Sequence, residues 1–352
     1  MHIMNRINLV VVGPGLMGKK HIELIFNNPS CNLAAIVAPN FIEHHEFCSK
    51  IKIPLHYDLK SCLSCNDVDG VIISSPNLFH AEQAKICIDS GIPVLIEKPI
   101  TSLSNEGIKL LNLAEKKSAK ILVGHHRAYS PILIKSREII QQGILGRIVS
   151  VMGSALFYKP PEYFKAGPWR SEIGGGPVLI NLIHEVGILR SLCGEISAVQ
   201  AISSSNIRNY EVEDTVAINF QFTNGALGTF ILCDTAASAK SWEQTSREDP
   251  SYPTYPNEDC YSVSGLRGSL AIPSMKLKYY AEDNNRSWWT PFTETVAEVV
   301  KEDPLKSQLE HFLEVIKGKE KPIVSAFEGL QNLIVTEAIH KAASAQSIIN
   351  IK

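Results

Sequence analysis

The stretch that most narrows what this chain can fold into is Ile7 to Val12, followed at once by Gly13-Pro14-Gly15-Leu16-Met17-Gly18 and a helical pattern from Lys19 to Phe26. The apolar run reads as a strand buried on both faces. Each glycine behind it has a physical task. Gly13 allows a tight turn, Gly15 lets a pyrophosphate approach the backbone, and Gly18 lets the helix pack on the strand. Phosphate oxygens would then lie over the free N–H groups of the helix start. A second strand, Leu33 to Val37, follows at βαβ spacing, the context that lifts G-x-G-x-x-G above a chance match. Gly13, Gly15, Leu16, Met17 and Gly18 are therefore candidate dinucleotide contacts. The carboxylate that would hold a ribose about 20 residues further on is missing. Ala38-Pro39-Asn40 stands there, with His44, His45 and Lys50 as the nearest cations. Asn40 can hydrogen-bond a ribose hydroxyl, and the expected cofactor is NAD or NADP, with a slight lean to NAD.

The alternation continues. Leu59 to Cys65 reads as a helix, Asp69 to Ser74 as a strand, Ser75-Pro76-Asn77 as a loop, and His80 to Ser90 as a helix stopped by Gly91. Val94-Leu95-Ile96 then runs into Glu97-Lys98-Pro99, placing a carboxylate and an amine at the carboxyl end of a buried strand. Ligands of open α/β sheets bind there. Ser104 to Ser118 and Lys120 to Val123 add a helix and a strand, and strands alternating with helices specify a doubly wound parallel sheet over residues 1–125. After Gly124-His125-His126-Arg127 the pattern changes. Pro131 to Gln142 is an amphipathic helix, and Arg147–Phe157, Ile196–Ser205, Thr215–Phe222, Ala226–Cys233 and Tyr261–Gly265 alternate as strands, with a hairpin signal at Asn224-Gly225. Such strands form an open mixed or antiparallel sheet. Gly174-Gly175-Gly176-Pro177 leads into a helix from Val178 to Cys193, Trp242 to Asp259 reads as a loop or lid, and 305–317 and 327–345 are helices. The expected second domain is α/β, residues 126–352, with the last helices able to pack back on the first.

With 352 residues the chain is long enough for two cores, and 45% hydrophobic and 20% charged residues are ordinary globular values. A net charge of −2 gives no case for nucleic acid or an anionic membrane surface, and no apolar run is long enough to span a bilayer. Met1 to Asn8 is too short and polar for a signal peptide, and Met4 is an alternative start. Eight cysteines at irregular spacing fit reduced thiols in the cytoplasm. Cys62-x-x-Cys65 has no second pair to complete a zinc site, and no His/Asp/Glu cluster has ligand spacing, so no metal is expected.

Taken in order, Gly13 to Gly18, Ser75-Pro76-Asn77 with His80, Glu97-Lys98-Pro99, Gly124 to Arg127, Gly174 to Gly176, and Asn181-x-x-His184 resemble the glucose–fructose oxidoreductase, inositol dehydrogenase and MocA (Gfo/Idh/MocA) family. The resemblance implies a pyridine-nucleotide oxidoreductase acting on a secondary alcohol of a sugar, cyclitol or sugar acid, assembled as a homodimer or homotetramer through its C-terminal sheet. It also implies that Pro76 and Asn77 flank the nicotinamide end, that Glu97 holds its ribose, that Ser75 and His80 are further cofactor contacts, and that Trp169-Arg170 approaches the cofactor.

The chemistry points to the same residues. Hydride can leave a carbinol carbon only as the hydroxyl proton is taken, and histidine is the base best matched to neutral pH. A cation beside the developing alkoxide lowers the barrier, which assigns Lys98. His184 is the candidate acid/base, although a lone helical histidine is more often a packing residue; Asn181, three residues earlier on one helix face, positions substrate or holds the ring. Arg127, Tyr129 and His126 are candidate substrate contacts, with surface or interdomain roles open for Arg127 and Tyr129. One departure from the family stands out: the aspartate common four residues before the histidine is Ile180, and Gly187 occupies a second frequently acidic position. Two alternatives follow, transient oxidation by a retained NAD coupled to elimination or glycoside cleavage, and a non-catalytic NAD(P)H-binding regulator.

Overall fold

The computed structural model describes residues 6–351, apart from the Asp283 side chain; Met4 lies outside the described residues. The chain forms two compact units, Met1–His126 with Leu305–Leu333, and Arg127–Pro304 with Ile334–Lys352.

The first unit is laid out as β1 (Ile7–Val12), α1 (Leu16–Phe26), β2 (Cys31–Val37), α2 (Ile42–Ile51), β3 (Leu55–His56), α3 (Leu59–Cys65), β4 (Gly70–Ile73), α4 (His80–Asp89), β5 (Val94–Glu97), α5 (Ser104–Lys117) and β6 (Ile121–Gly124). All six strands are parallel, in the order β3-β2-β1-β4-β5-β6. Every residue of β4, β5 and β6 is buried, the result of helices covering both faces of a parallel sheet. The strand order reverses between β1 and β4, so the loops after β1, β4 and β5 leave the sheet beside the switch point, where such folds bind ligands. Helix α1 begins three residues before the expected Lys19, because Gly15 serves as its N-cap. Residues 305–333 group with this unit through close contacts: Ser325 bridges Leu122, and a side chain on Gly329 would run into Val123.

The second unit contains α6 (Pro131–Gln141), β7 (Ile148–Leu156), α7 (Pro161–Lys165), α8 (Ile183–Cys193), β8 (Ile196–Ser204), β9 (Thr215–Phe222), β10 (Leu227–Cys233), α9 (Trp242–Thr245), β11 (Tyr261–Gly265), β12 (Gly268–Ile272), β13 (Lys276–Tyr279) and β14 (Thr293–Val296). Helices α10 (Pro304–Ile316) and α11 (Ala326–Ala345) and strand β15 (Ile349–Asn350) close the chain. Nine strands run β14-β13-β12-β11-β7-β10-β9-β8-β15, antiparallel except for β7 with β10. In β9, Val216, Ile218, Phe220 and Phe222 face the core while Ala217, Asn219 and Gln221 face out, the period of two that an open sheet requires. The helix expected from Val178 starts instead with a π-helical turn, Val178–Leu182, and becomes α-helical only at Ile183. Trp242 to Asp259 is not a bare loop either: Trp242 and Thr245 are buried in α9, whose first turn Ser241 caps.

Candidate active site

At the end of β1 the three glycines behave as three different constraints. Gly13 has φ +83°, and a Cβ there would lie 2.7 Å from the Ser75 backbone. A Cβ on Gly18 would lie 2.0 Å from the Gly13 carbonyl oxygen, so helix and turn touch through backbone. A Cβ on Gly15 would meet nothing within 4 Å. Helix α1 has no side-chain cap and no acidic residue in its first turn. Closed packing at Gly13 and Gly18 with open space over Gly15, beside uncapped helical N–H groups, fits a dinucleotide pyrophosphate. Leu16 is exposed and Met17 partly so.

The β4 and β5 loops are tied by a residue expected at the cofactor. His80 is buried, with Nδ1 2.8 Å from the Pro99 carbonyl oxygen and Nε2 2.9 Å from that of Ser75. Burial pulls this imidazole below its usual range, while both carbonyls and the nearby Glu97 act against that pull. The ring thereby braces the two loops against each other. Asn77 begins a 3-10 turn, Asn77–Phe79, after the exposed Pro76, and Ser75 donates to Gln83.

Glu97 has a partner within its own unit. It is buried, and its Oε1 lies 2.8 Å from His21 Nε2 on α1. Burial alone would raise this carboxyl, but the His21 hydrogen bond, with the charges of His21, His126 and Lys98, holds it below the ordinary carboxylate range. The sequence reading passed over His21, which looks like one more polar residue on an amphipathic helix. Lys98 and His126 are both half-buried. At the end of β2, Asn40 is exposed and its Oδ1 is 2.8 Å from His45 Nε2, which Tyr57 also approaches at 3.0 Å.

In the second unit, Arg127 is 4% exposed. It donates to Glu185 at 2.5 Å and to Glu243 at 2.5 Å, and Tyr261 donates to the other Glu185 oxygen. Glu248 accepts from Ser130 at 2.5 Å and from Trp242 at 2.8 Å beside them. Tyr129 is buried as well, not a surface residue. His184, the second residue of α8, is buried and adjoins Glu185. Asn181 lies in the π-helical turn and accepts from Lys159 at 2.7 Å, a partner the sequence reading did not name. Trp169 is exposed, and Arg170 stacks on Tyr163 with 4.0 Å between guanidinium and ring centroid.

Among the described residues no group of three or more His, Cys, Asp or Glu could hold a metal ion, and no helix is long and apolar enough to cross a membrane. Cys62 is buried and Cys65 exposed; burial pushes the Cys62 thiol up to about 11, so it stays protonated and unreactive.

Fold and glycine turn together define a dinucleotide-binding protein. The chain belongs to the Gfo/Idh/MocA oxidoreductases: the family profile "Oxidoreductase family, NAD-binding Rossmann fold" matches residues 7–125, and "Oxidoreductase family, C-terminal alpha/beta domain" matches 137–351. It is 25% identical over 336 residues to the rhizopine catabolism protein MocA of Rhizobium meliloti, covering 95% of this chain and 94% of the relative. It is 28% identical over 229 residues to inositol 2-dehydrogenase of Mycolicibacterium gilvum, 61% of each chain. Its fold matches levoglucosan dehydrogenase in complex with NADH and levoglucosan at a TM-score of 0.79, with 20% identity and 99% of both chains covered. The WlbA dehydrogenase of Bordetella pertussis, in complex with NADH and UDP-GlcNAcA, gives 0.79 at 22% identity and 99% coverage of both. The chain is accordingly a pyridine-nucleotide-dependent dehydrogenase.

Two outcomes follow from this geometry. Gly15→Ala is expected to leave the melting temperature within about 2 °C while weakening NADH binding, whereas Gly18→Ala costs about 1–3 kcal/mol of stability through overpacking; equal melting points for the two would contradict the packing described. The second concerns Arg127. Burial raises the Glu185 carboxyl above its ordinary range, against the pull of Arg127, so the folded chain holds that proton more tightly than the unfolded one. Such a group stabilises the fold below its unfolded pKa and loses that contribution as pH rises through the folded value. Arg127→Met is expected to cost about 3–5 kcal/mol at pH 8, where the buried carboxyls lose their counter-charge, and less at pH 5, because the raised Glu185 carboxyl takes up a proton more readily as pH falls. Urea melts at both pH values read the difference, and equal losses would remove Glu185 as the stranded group.

Proposed function

We propose that this dehydrogenase oxidises a secondary alcohol of a sugar, cyclitol or sugar acid, with NAD as the preferred cofactor. The observation that carries the reading is the end of β5, where Glu97 is anchored by His21 and the next residue, Lys98, is half-buried beside the loops of the switch point. The nicotinamide accepts the hydride when bound. Lys98 holds a positive charge where alkoxide character develops on the substrate oxygen. His184 takes the hydroxyl proton, and Asn181 positions the substrate. Gly13, Gly15, Leu16, Met17 and Gly18 hold the pyrophosphate, Ser75, Pro76 and Asn77 border the nicotinamide end, and Trp169-Arg170 supplies a further cofactor contact. The relatives named for inositol and levoglucosan support the substrate class. Asn40 supports NAD as a neutral partner for the ribose hydroxyl, although it repels a 2′-phosphate less than a carboxylate would. The open face of the nine-stranded sheet is the proposed surface for a homodimer or homotetramer.

Lys98→Ala is expected to lower kcat by about 100- to 1,000-fold while the NADH dissociation constant stays within about threefold. His184→Ala should lower kcat by about 100- to 10,000-fold. Undiminished turnover in Lys98→Ala, followed by nicotinamide absorbance, would sink the assignment, and product formed without accumulating NADH would favour transient oxidation instead. Asn40→Asp should shift the ratio of NADPH to NADH dissociation constants towards NADH by about tenfold, the effect of one ribose contact. An unchanged ratio would place cofactor selection elsewhere.

A further inference from the structure

The turn Gly174-Gly175-Gly176-Pro177 leads into the segment that carries Asn181 and His184, yet its own side chains do little to fix its path. Glycine loses more conformational freedom on folding than any other residue, so three in a row need support from outside. Gly174 has φ +94° and Gly176 φ +80°, and a Cβ on Gly174 would meet nothing within 4 Å. The first N–H groups of any helix also lack partners inside it. Pro177, at the N-cap of the π-helical turn, makes no side-chain hydrogen bond to them.

The support comes from Glu213, 35 residues beyond Val178. Its Oε1 accepts from the Val178 N–H at 2.9 Å, which caps the turn in place of a local side chain. A Cβ on Gly176 would lie 2.7 Å from the same oxygen, so the carboxylate rests directly on the backbone of the turn. Two residues earlier, Glu211 Oε2 accepts from the Ile173 N–H at 3.3 Å. One short segment therefore meets the glycine turn at both of its ends.

Glu213 has a firm mount. The adjoining Asp214 N–H donates to the Ser204 carbonyl oxygen at 2.8 Å, and the Asp214 carbonyl oxygen accepts from the Asp234 N–H at 3.0 Å. The Asp214 carboxylate accepts from the backbone N–H groups of Ile207 and Arg208 and from the Thr215 hydroxyl. The Glu213 side chain is 9% exposed, with His340 Nδ1 4.0 Å from its Oε2. Burial raises this carboxyl, while His340 and the Val178 N–H act against that rise. The bond to Val178 needs only an acceptor oxygen, which a neutral amide also supplies.

What the bond fixes is register. A π turn accommodates one residue more than an α turn, so the placement of Asn181 relative to His184 depends on where the turn starts. Asn181 lies three residues after the bonded N–H and His184 six. We infer that Glu213 is a positioning residue of the dehydrogenase: by holding the Val178 N–H it sets Asn181 and His184 in place, acting through the helix start. The inference rests on the reading that these two residues serve the reaction.

The test uses the full chain with NAD and a panel of D-gluconate, D-glucitol, D-glucose and myo-inositol, with kcat counted per NADH-binding site so that unfolded chain drops out. Glu213→Ala should lower kcat by roughly fivefold or more while the NADH dissociation constant stays within about threefold. Glu213→Gln keeps an acceptor oxygen and should recover most of that loss. Amide exchange read by mass spectrometry should speed up by roughly tenfold or more over residues 173–184 in Glu213→Ala, but not in Glu213→Gln, with β9 unaltered in both. A smaller kcat loss, equal losses in the two variants, loss of NADH binding in Glu213→Ala, or faster exchange in β9 as well overturns the inference and leaves the dehydrogenase reading standing. If no compound yields NADH although the cofactor binds, the proposed substrate class fails. The exchange pattern then decides alone: acceleration confined to 173–184 in Glu213→Ala supports the inference, and its absence overturns it.

Discussion

The second unit depends on a guanidinium buried between two carboxylates. Arg127 meets Glu185 and Glu243, with Tyr261 donating to Glu185 from β11. Desolvating these ions costs several kcal/mol each, and only close geometry with further hydrogen bonds offsets it. Here the offset comes from bonds on several sides of the cluster, which joins the segment after β6 to α8, α9 and β11. Helix α8 needs such a fixture. It buries Ile183, Val186, Ile188, Leu189 and Leu192, residues that do not confine the apolar surface to one face, so apolar packing alone leaves its rotation poorly specified. The Glu185 carboxylate singles out one rotation, and that rotation also sets where the adjacent His184 points.

The parallel sheet was legible because each of its signals has one strong physical cause. Both-face burial writes a continuous apolar run, and glycine is required where backbone meets backbone, as at Gly13 and Gly18. Elements without such causes escaped. Helix α2 buries only Cys48, so its ten residues carry almost no apolar periodicity. Strand β3 is two residues long, and the four residues of β14 are all exposed. The π-helical turn was illegible for a different reason. A helical pattern is read at 3.6 residues per turn, and nothing in Val178-Leu179-Ile180-Asn181-Leu182 marks the extra residue that a π turn accommodates.

The candidate site divides along the same line. Motif residues could be named because a glycine or a strand-end lysine announces its task locally. Their partners could not, since they come from distant parts of the chain: His21 lies 76 residues from Glu97, Glu185 lies 58 from Arg127, and Lys159 lies 22 from Asn181. Each partner changes what the motif residue can do. Arg127 and His80 are held by internal contacts, and Asn181 is held by Lys159.

The end of β5 shows how one strand separates two duties. Glu97 is the last residue of β5 and is buried, whereas Lys98 stands just past the strand and is half-buried. The inward carboxylate would be costly alone, but His21 meets it at 2.8 Å and outranks Lys98 among the influences keeping it ionised. Glu97 therefore draws its main compensation from within the first unit and does not require the lysine beside it. A charged pair read as Glu-Lys in sequence is, in three dimensions, a Glu–His pair that anchors the strand end and a lysine set next to that anchor. A rigid mount of this kind is what an electrostatic catalyst requires, because a charge that need not reorganise as the alkoxide forms stabilises it most.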